Sequence, residues 1–279
     1  MSAPLSARYR TAFVTGASTG LGLAFTDMLL AEGVEVWGTS RNPARLAARP
    51  RFHPVALELG DGSASELAFL HADKEAGGFD LVVNNAGFGV FGEFARTEFS
   101  VWQAQLEIML VNTARLCHLA LAGMLERRRG ALVNVSSLAA EFPLPYQSAY
   151  NMAKAGLTAL NESLMYELRG TGVAVIDFRP GDFRTDFEDS VVRPPQEQPE
   201  GDAAASAARQ ARVWSAFSRM MRSAPLPAHA AAALRRALHR GRSGTVRTGR
   251  FFQTAVAPFL VRLGSLGLKR RIQERYFGL

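Results

Sequence analysis

Short apolar runs rich in β-branched and aromatic residues alternate along this chain with longer segments whose apolar residues recur every three or four positions. The runs occupy residues 11–15, 34–40, 52–59, 80–84, 131–136 and 173–179, each bounded by turn-forming residues. After the first run an alanine- and leucine-rich helical segment extends to Glu32, where Gly33 punctuates it. Leu106, Met109, Leu110, Thr113, Leu116 and Ala120 mark a second helical stripe, and Leu157, Leu160, Leu164 and Leu168 a third. Strands separated by helices must pair in parallel, because each crossover returns the chain to the same edge, and a parallel sheet is covered on both faces. The pattern predicts a doubly wound α/β sheet. It fades after Arg179: residues 188–227 are rich in Pro, Ala, Gln and charge around an apolar cluster of Trp214, Phe217, Met220 and Met221. A helix over residues 228–240 and a strand over 245–248 are placed to complete the sheet. With 48% hydrophobic residues, no internal repeat and no clear linker, residues 1–279 read as one domain with a long insertion.

The formal charge of +7 is local. Residues 1–234 carry 21 Lys and Arg against 24 Asp and Glu, whereas residues 235–279 carry 11 against 1. A nucleic-acid surface across the protein is therefore not indicated. The five histidines (His53, His71, His118, His229, His239) lie at no metal-ligand spacing, so no metal site is expected. The one cysteine, Cys117, allows no intrachain disulfide and fits a reducing, cytoplasmic setting. Residues 1–10 lack the apolar core of a secretory signal, and no uninterrupted apolar run reaches the length of a membrane span.

Four groups of residues carry chemistry. Gly16, Gly20 and Gly22, with Ser18, Thr19 and Leu21 among them, separate the first strand from the first helix. Glycine permits a tight turn and close approach of backbone to a phosphate, and the helix N-terminus directs N–H groups at it. Asn85, Ala86 and Gly87 follow the fourth strand, at the strand ends where open α/β sheets bind ligands. Tyr150 and Lys154 share a helix face, where a cation lowers a neighbouring phenol's pKa. Ser137 closes the strand upstream, and Asn112 interrupts an apolar helix interior, as either a relay residue or a polar core contact. Pro180, Gly181 and Thr185 follow the sixth strand. Each group alone also reads as an ordinary turn, cap or helix surface.

Together they resemble the short-chain dehydrogenase/reductase family. Thr15-Gly16-Ala17-Ser18-Thr19-Gly20-Leu21-Gly22 is similar to its TGxxxGxG loop, Asn84-Asn85-Ala86-Gly87 to NNAG, Tyr150-Asn151-Met152-Ala153-Lys154 to YxxxK, and Pro180-Gly181 with Thr185 to PGxxxT. Val133-Asn134-Val135-Ser136-Ser137 resembles the strand ending in the catalytic Ser. The likeness runs over residues 8–187. It implies a Rossmann-like sheet, a nicotinamide cofactor and an enzyme interconverting a ketone and a secondary alcohol. Tyr150 would be the general acid/base, Ser137 would polarise the oxygen, Lys154 would bind ribose and depress the Tyr150 pKa, and Asn112 would hold a relay water. It also implies homodimers or homotetramers built on the helices bearing Asn112 and Tyr150.

Where an acid would accept from the adenosine ribose, this chain has Ser40 followed by Arg41, a space and a guanidinium that suit a 2′-phosphate. NADP(H) is therefore expected over NAD(H), which stays possible. Glu58 and Asp61 compete for the place of the acid that the family often keeps beside the adenine. Phe88, Phe91, Phe94, Leu138, Phe142, Leu144 and Tyr146 stand at pocket positions, and residues 188–227 are expected as a substrate lid contributing Phe187 and Val191 at its entry and Trp214, Phe217, Met220 and Met221. Such a pocket suits a lipophilic ketone or alcohol. The basic amphipathic extension over residues 250–279 reads equally as a peripheral membrane contact or as a helix packed on its own domain. A nicotinamide-sensing regulator without turnover, which should have lost Tyr150 or Lys154, and an extended-type epimerase or dehydratase, which would show a TGxxGxxG loop, are the alternative readings.

Overall fold

A computed structural model describes residues 3–194, 202–256, 258–259 and 266–277. Seven strands form one sheet: β1 (Thr11–Val14), β2 (Glu35–Ser40), β3 (Phe52–Ala56), β4 (Leu81–Asn84), β5 (Gly130–Val135), β6 (Val173–Pro180) and β7 (Gly244–Thr248). All pair in parallel, in the order β3-β2-β1-β4-β5-β6-β7. From β1 the chain winds to one side through β2 and β3, and from β4 it winds to the other. The order thus reverses between β1 and β4, which opens a crevice at their carboxyl ends. The strands lie within a few residues of the sequence expectation, because a strand buried on both faces must be apolar throughout.

Helices cover both faces. On one lie α1 (Gly20–Ala31) and α7 (Pro227–Arg240), whose Phe25, Leu29, Leu234 and Leu238 pack on Val14, Val83, Val133 and Phe178. On the other lie α2 (Gly62–Ala76), α4 (Asn112–Glu126) and α5 (Ser148–Glu167), whose Phe69, Leu116, Leu121 and Leu164 pack on Phe13, Val82, Leu132 and Val175. Val82 and Val83 go to opposite faces, as strand pleating requires. The short α3 (Phe99–Leu106) leads through a π turn, Glu107–Val111, into α4. The whole stretch Phe99–Glu126 is apolar and long enough to cross a membrane. Its Trp102, Met109, Leu116 and Met124 are instead buried in this fold.

One element departs from the sequence expectation. The polar insertion contains a long helix, α6 (Asp202–Arg222), whose buried Val213, Phe217 and Met221 recur at fourfold spacing and make one apolar stripe. The basic extension contains α8 (Leu266–Phe277), which lies on the domain. Lys269 Nζ donates to the Glu141 carbonyl, Gln273 Nε2 donates to the Pro143 carbonyl at 2.8 Å, and Phe277 is buried against Phe91, Val191 and Val213. Arg270, Arg271 and Arg275 stay exposed. Of the two readings of the extension, the structure shows the helix packed on its own domain.

Phe178 joins the sheet to α1, its fully buried ring edge-on to Phe25 at 5.5 Å. Phe178→Ala should cost about 3–5 kcal/mol through lost burial and a residual cavity. Urea unfolding of the variant would measure this, and a loss under about 1 kcal/mol would mean that the site collapses.

Candidate active site

The crevice at the strand ends is a cleft of about 1240 Å³. Its floor is the glycine loop. Gly16 and Gly20 adopt left-handed φ of +69° and +57°, which side chains disfavour. At Gly22 a Cβ would fall 2.1 Å from the Gly16 carbonyl oxygen, so α1 reaches the loop only because that atom is missing. Thr15 Oγ1 accepts from the N–H groups of Asn85 and Ala86 at 2.9 and 3.0 Å, while Asn85 Nδ2 donates to the Thr15 carbonyl at 3.0 Å. The Asn85 side chain therefore clasps the loop. Gly16, Ser18, Thr19, Gly20 and Leu21 line the cleft with Asn85, Ala86 and Gly87, whereas Gly22 lies behind them. Thr19 precedes α1 without capping it, leaving the first-turn N–H groups of that helix for an anion.

At the end of β2 the wall is Ser40, Arg41 and Asn42, followed by Arg45, which the sequence reading passed over. Ser40 Oγ accepts from the Asn42 N–H at 3.2 Å. Of the two candidate acids beyond β3, Glu58 lines the cleft. Asp61 is spent as the N-cap of α2, accepting from Ser63 and Ala64 N–H groups at 3.0 Å.

The reacting groups converge at the end of β5. Ser137 is buried, and its Oγ accepts from the Ala139 N–H at 3.0 Å. Lys154 Nζ donates to the Val135 carbonyl at 2.7 Å and lies 5.7 Å from the centre of the Tyr150 ring. Burial lowers the Lys154 pKa to about 8, against the pull of the Asp177 carboxylate. Burial pushes the Tyr150 phenol above its ordinary value; Ser137 pulls it down, and the Asp182 carboxylate adds a smaller push up. The depression expected from Lys154 is not visible in this balance, where burial is the largest influence. Asp177 also anchors a buried polar chain. Asn84 donates to Asn134 at 2.8 Å, Asn134 to Asn161 at 2.5 Å and Asn161 to Asp177 at 3.1 Å, and Arg179 Nε meets the second Asp177 oxygen at 2.6 Å.

Pro180, Gly181 and Thr185 line the cleft beside the glycine loop; a Cβ on Gly20 would lie 3.3 Å from Thr185 Cβ. Asn112 stands apart. It is fully buried, its Nδ2 donates to the Leu59 carbonyl at 2.7 Å, and it does not line the cleft. Phe88, Leu138, Phe142, Leu144, Phe187, Phe217, Met220 and Met221 form apolar cleft wall. Phe91, Tyr146, Val191 and Trp214 back that wall instead, and Phe94 is exposed against Trp102. Sequence reasoning missed Asp182 and the wall residues of the extension, Phe252, Gln253, Ile272, Gln273 and Phe277. The only signal for the latter was the amphipathic pattern of the extension.

A family model described as short chain dehydrogenase matches residues 10–196. An uncharacterized oxidoreductase of Myxococcus xanthus is 39% identical over 181 residues, 62% of this chain and 72% of its own. The 3-ketodihydrosphingosine reductase of Bacteroides thetaiotaomicron is 29% identical over 177 residues, 63% of this chain and 65% of its own. Among solved structures, a short-chain dehydrogenase from Streptomyces avermitilis superposes with a TM-score of 0.79 at 27% identity, over 95% of this chain and 97% of its own. The same fold occurs in a Burkholderia phymatum protein in complex with NAD (TM-score 0.78, 21% identity, 98% of this chain and 97% of its own). It occurs also in a Burkholderia cenocepacia protein in complex with NADP (TM-score 0.72, 23% identity, 95% and 98%). The chain belongs to the short-chain dehydrogenase/reductase family, whose members are nicotinamide-dependent oxidoreductases of CH–OH and C=O groups.

Lys154 carries a testable cost. Its folded pKa of about 8 lies below the ordinary lysine value of 10.5, so the unfolded chain binds more protons between those values and stability rises with pH there. Lys154→Met should stabilise the fold by roughly 1–3 kcal/mol at neutral pH, after allowing for the lost bond to Val135. The gain should shrink as pH climbs from 8 to 10.5. Urea midpoints at several pH values would show it, and a pH-independent difference would sink the idea.

Proposed function

We propose that this chain is an NADP(H)-dependent ketoreductase and secondary-alcohol dehydrogenase for lipophilic substrates, with Tyr150 moving the proton. One observation carries the reading: Ser137, Tyr150 and Lys154 meet in the same cleft as the glycine loop, under a largely apolar wall. The glycine loop and the uncapped start of α1 fit a pyrophosphate, Lys154 and Thr185 would hold the nicotinamide end, and the bound cofactor supplies or accepts the hydride. Ser137 orients the substrate oxygen. Tyr150, held protonated at neutral pH, donates its phenolic proton to that oxygen in reduction and takes it back in oxidation. Oxidation should therefore speed up with rising pH as the phenol ionises. Asn112 acts as an anchor, tying α4 to the loop after β3 through Leu59.

Two guanidinium groups, Arg41 and Arg45, flank Ser40 at the adenosine end, and no acid closes β2. They favour the 2′-phosphate of NADP(H) over NAD(H). For the substrate, the Bacteroides relative is named as a reductase of a keto compound, 3-ketodihydrosphingosine. The wall of Phe142, Leu144, Phe187 and Met220 suits an apolar chain. Residues 188–194 and 202–227 serve as its lid, pinned where Phe91 N–H donates to the Val192 carbonyl at 2.9 Å, with 195–201 outside the described residues. Since Ile272 and Phe277 face the cleft, α8 serves as wall, and a membrane role is set aside. The exposed Val111 just before α4, Leu125 on α4, and Met152 and Tyr166 on α5 support a homodimer or homotetramer built on those helices.

The direct test follows nicotinamide absorbance with NADPH and with NADH against ketones graded by size and lipophilicity. NADPH turnover that Tyr150→Phe lowers by at least about 10²-fold is expected; turnover unaffected by that change would remove Tyr150 from the chemistry. Replacing Arg41 and Arg45 together by Ser should raise the KM for NADPH at least about tenfold and leave that for NADH nearly unchanged. Equal losses for both cofactors would refute the phosphate assignment.

A further inference from the structure

Asp182 is the residue that the proposed chemistry leaves without a task. It follows the Pro180-Gly181 turn at the end of β6 and lines the cleft on the side of the reacting groups. Its Oδ2 accepts from Gln253 Nε2 at 2.6 Å, and Oδ1 takes part in no hydrogen bond among the described residues. The neighbouring cation, Arg250, directs Nη2 at Ser223 Oγ (2.6 Å) and the Met220 carbonyl (3.5 Å), away toward α6. Around the carboxyl the cleft is apolar: Leu138 packs against Gly181, and Phe183 and Phe187 follow in the chain.

A carboxylate in such surroundings is costly unless a positive group faces it. A neutral amide and a neighbouring guanidinium that is bonded elsewhere compensate it only in part, and burial pushes the Asp182 carboxyl up. Its charge reaches the Tyr150 phenol, where it opposes ionisation. Leu138, the residue after Ser137, packs against Gly181, and Ser137, Tyr150 and Asp182 line the same cleft, so a group that complements Asp182 sits near the oxygen that Tyr150 serves.

We propose that Asp182 binds a substrate ammonium carried next to the reacting carbon, so that the preferred substrate is a lipophilic 2-amino ketone or the corresponding amino alcohol. The inference rests on the ketone–alcohol chemistry proposed above and narrows its substrate class. The ammonium neutralises Asp182, hydrogen-bonds to Oδ1 and thereby fixes which carbon faces Tyr150. The apolar tail then runs along Leu144 and Phe142 toward Ile272. The same pairing removes part of the field that holds the phenol protonated.

The test uses the oxidative direction, where amino alcohols are stable. With NADP+ at neutral pH, 2-aminododecan-3-ol, dodecan-3-ol and dodecane-2,3-diol are compared on the full chain and on Asp182→Asn. The wild type should favour the amino alcohol over the plain alcohol by about tenfold or more in kcat/KM, the range of a charge-assisted hydrogen bond. In Asp182→Asn that ratio should fall close to one. Equal rates for amino and plain alcohols in the wild type would overturn the proposal. So would a preference for the diol, which would make Asp182 a hydroxyl acceptor, or a loss of NADP+ affinity in the variant with the ratio unchanged. A second measurement needs no turnover: 2-aminododecane should raise the Tm of the wild type more than dodecan-2-ol does, and the difference should vanish in Asp182→Asn. If every alcohol and dodecan-3-one is inert, the proposed function fails, and this binding comparison still decides the role of Asp182.

Discussion

The site depends on a small clasp between two strand ends. Thr15 follows β1, Asn85 and Ala86 follow β4, and three hydrogen bonds from these two residues to Thr15 lock the ends together across the point where the strand order reverses. The connections after β1 and β4 leave in opposite directions, which makes the crevice above two paired strands and carries no ladder between the loops themselves. The clasp supplies the missing tie. It fixes the Gly16 carbonyl, against which Gly22 packs, and so sets where the N-terminus of α1 points. Gly20 then meets Thr185, which brings the turn after β6 over the same floor.

A second layer holds the reacting groups. Lys154 is a buried ammonium, and burial lowers its pKa to about 8. The opposing influence comes from Asp177, whose own charge is stabilised by Ser136, Asn161 and Arg179. The asparagine chain from β4 through β5 to α5 satisfies its members across three elements, so strand register and the placement of α5 are linked. Cys117 joins this chain through Asn84 and Asn134, and burial pushes its thiol up to about 12, which leaves it a packing residue.

What the sequence made legible follows from the kind of constraint each residue meets. Strands buried on both faces are apolar runs, and Gly16, Gly20 and Gly22 are glycines because backbone geometry or a carbonyl oxygen forbids anything larger; both constraints are visible residue by residue. The helix α6 was hidden because only one narrow stripe of Val213, Phe217 and Met221 is apolar, inside a segment otherwise full of Ala, Gln and Arg. The cleft wall from α8 was hidden for a different reason. An amphipathic helix shows which face is apolar and says nothing of what covers it, so Ile272 and Phe277 read equally well as membrane-facing. Asn112 and Asp61 could not be assigned, since whether an amide or a carboxylate faces a ligand or a nearby backbone group depends on distances that spacing does not encode. Burial of the Tyr150 phenol was hidden for a related cause: helical spacing places Lys154 nearby but does not report how deeply the pair is buried.

Burial acts on both members of the Tyr150–Lys154 pair with the same sign of consequence. It disfavours the phenolate and disfavours the ammonium, so each is driven toward its neutral form. A neutral phenol is the form that the proposed reduction requires, and the burial that produces it would also suit the proposed apolar substrate. Oxidation requires the phenolate, and the same surroundings oppose it. Closing that gap takes positive charge near the phenol or the removal of negative charge beside it, and Asp182 is the negative charge that a substrate can cancel. A substrate ammonium there would lower the barrier to ionising Tyr150 while anchoring the reacting carbon. Recognition and proton transfer would then be coupled through one carboxylate.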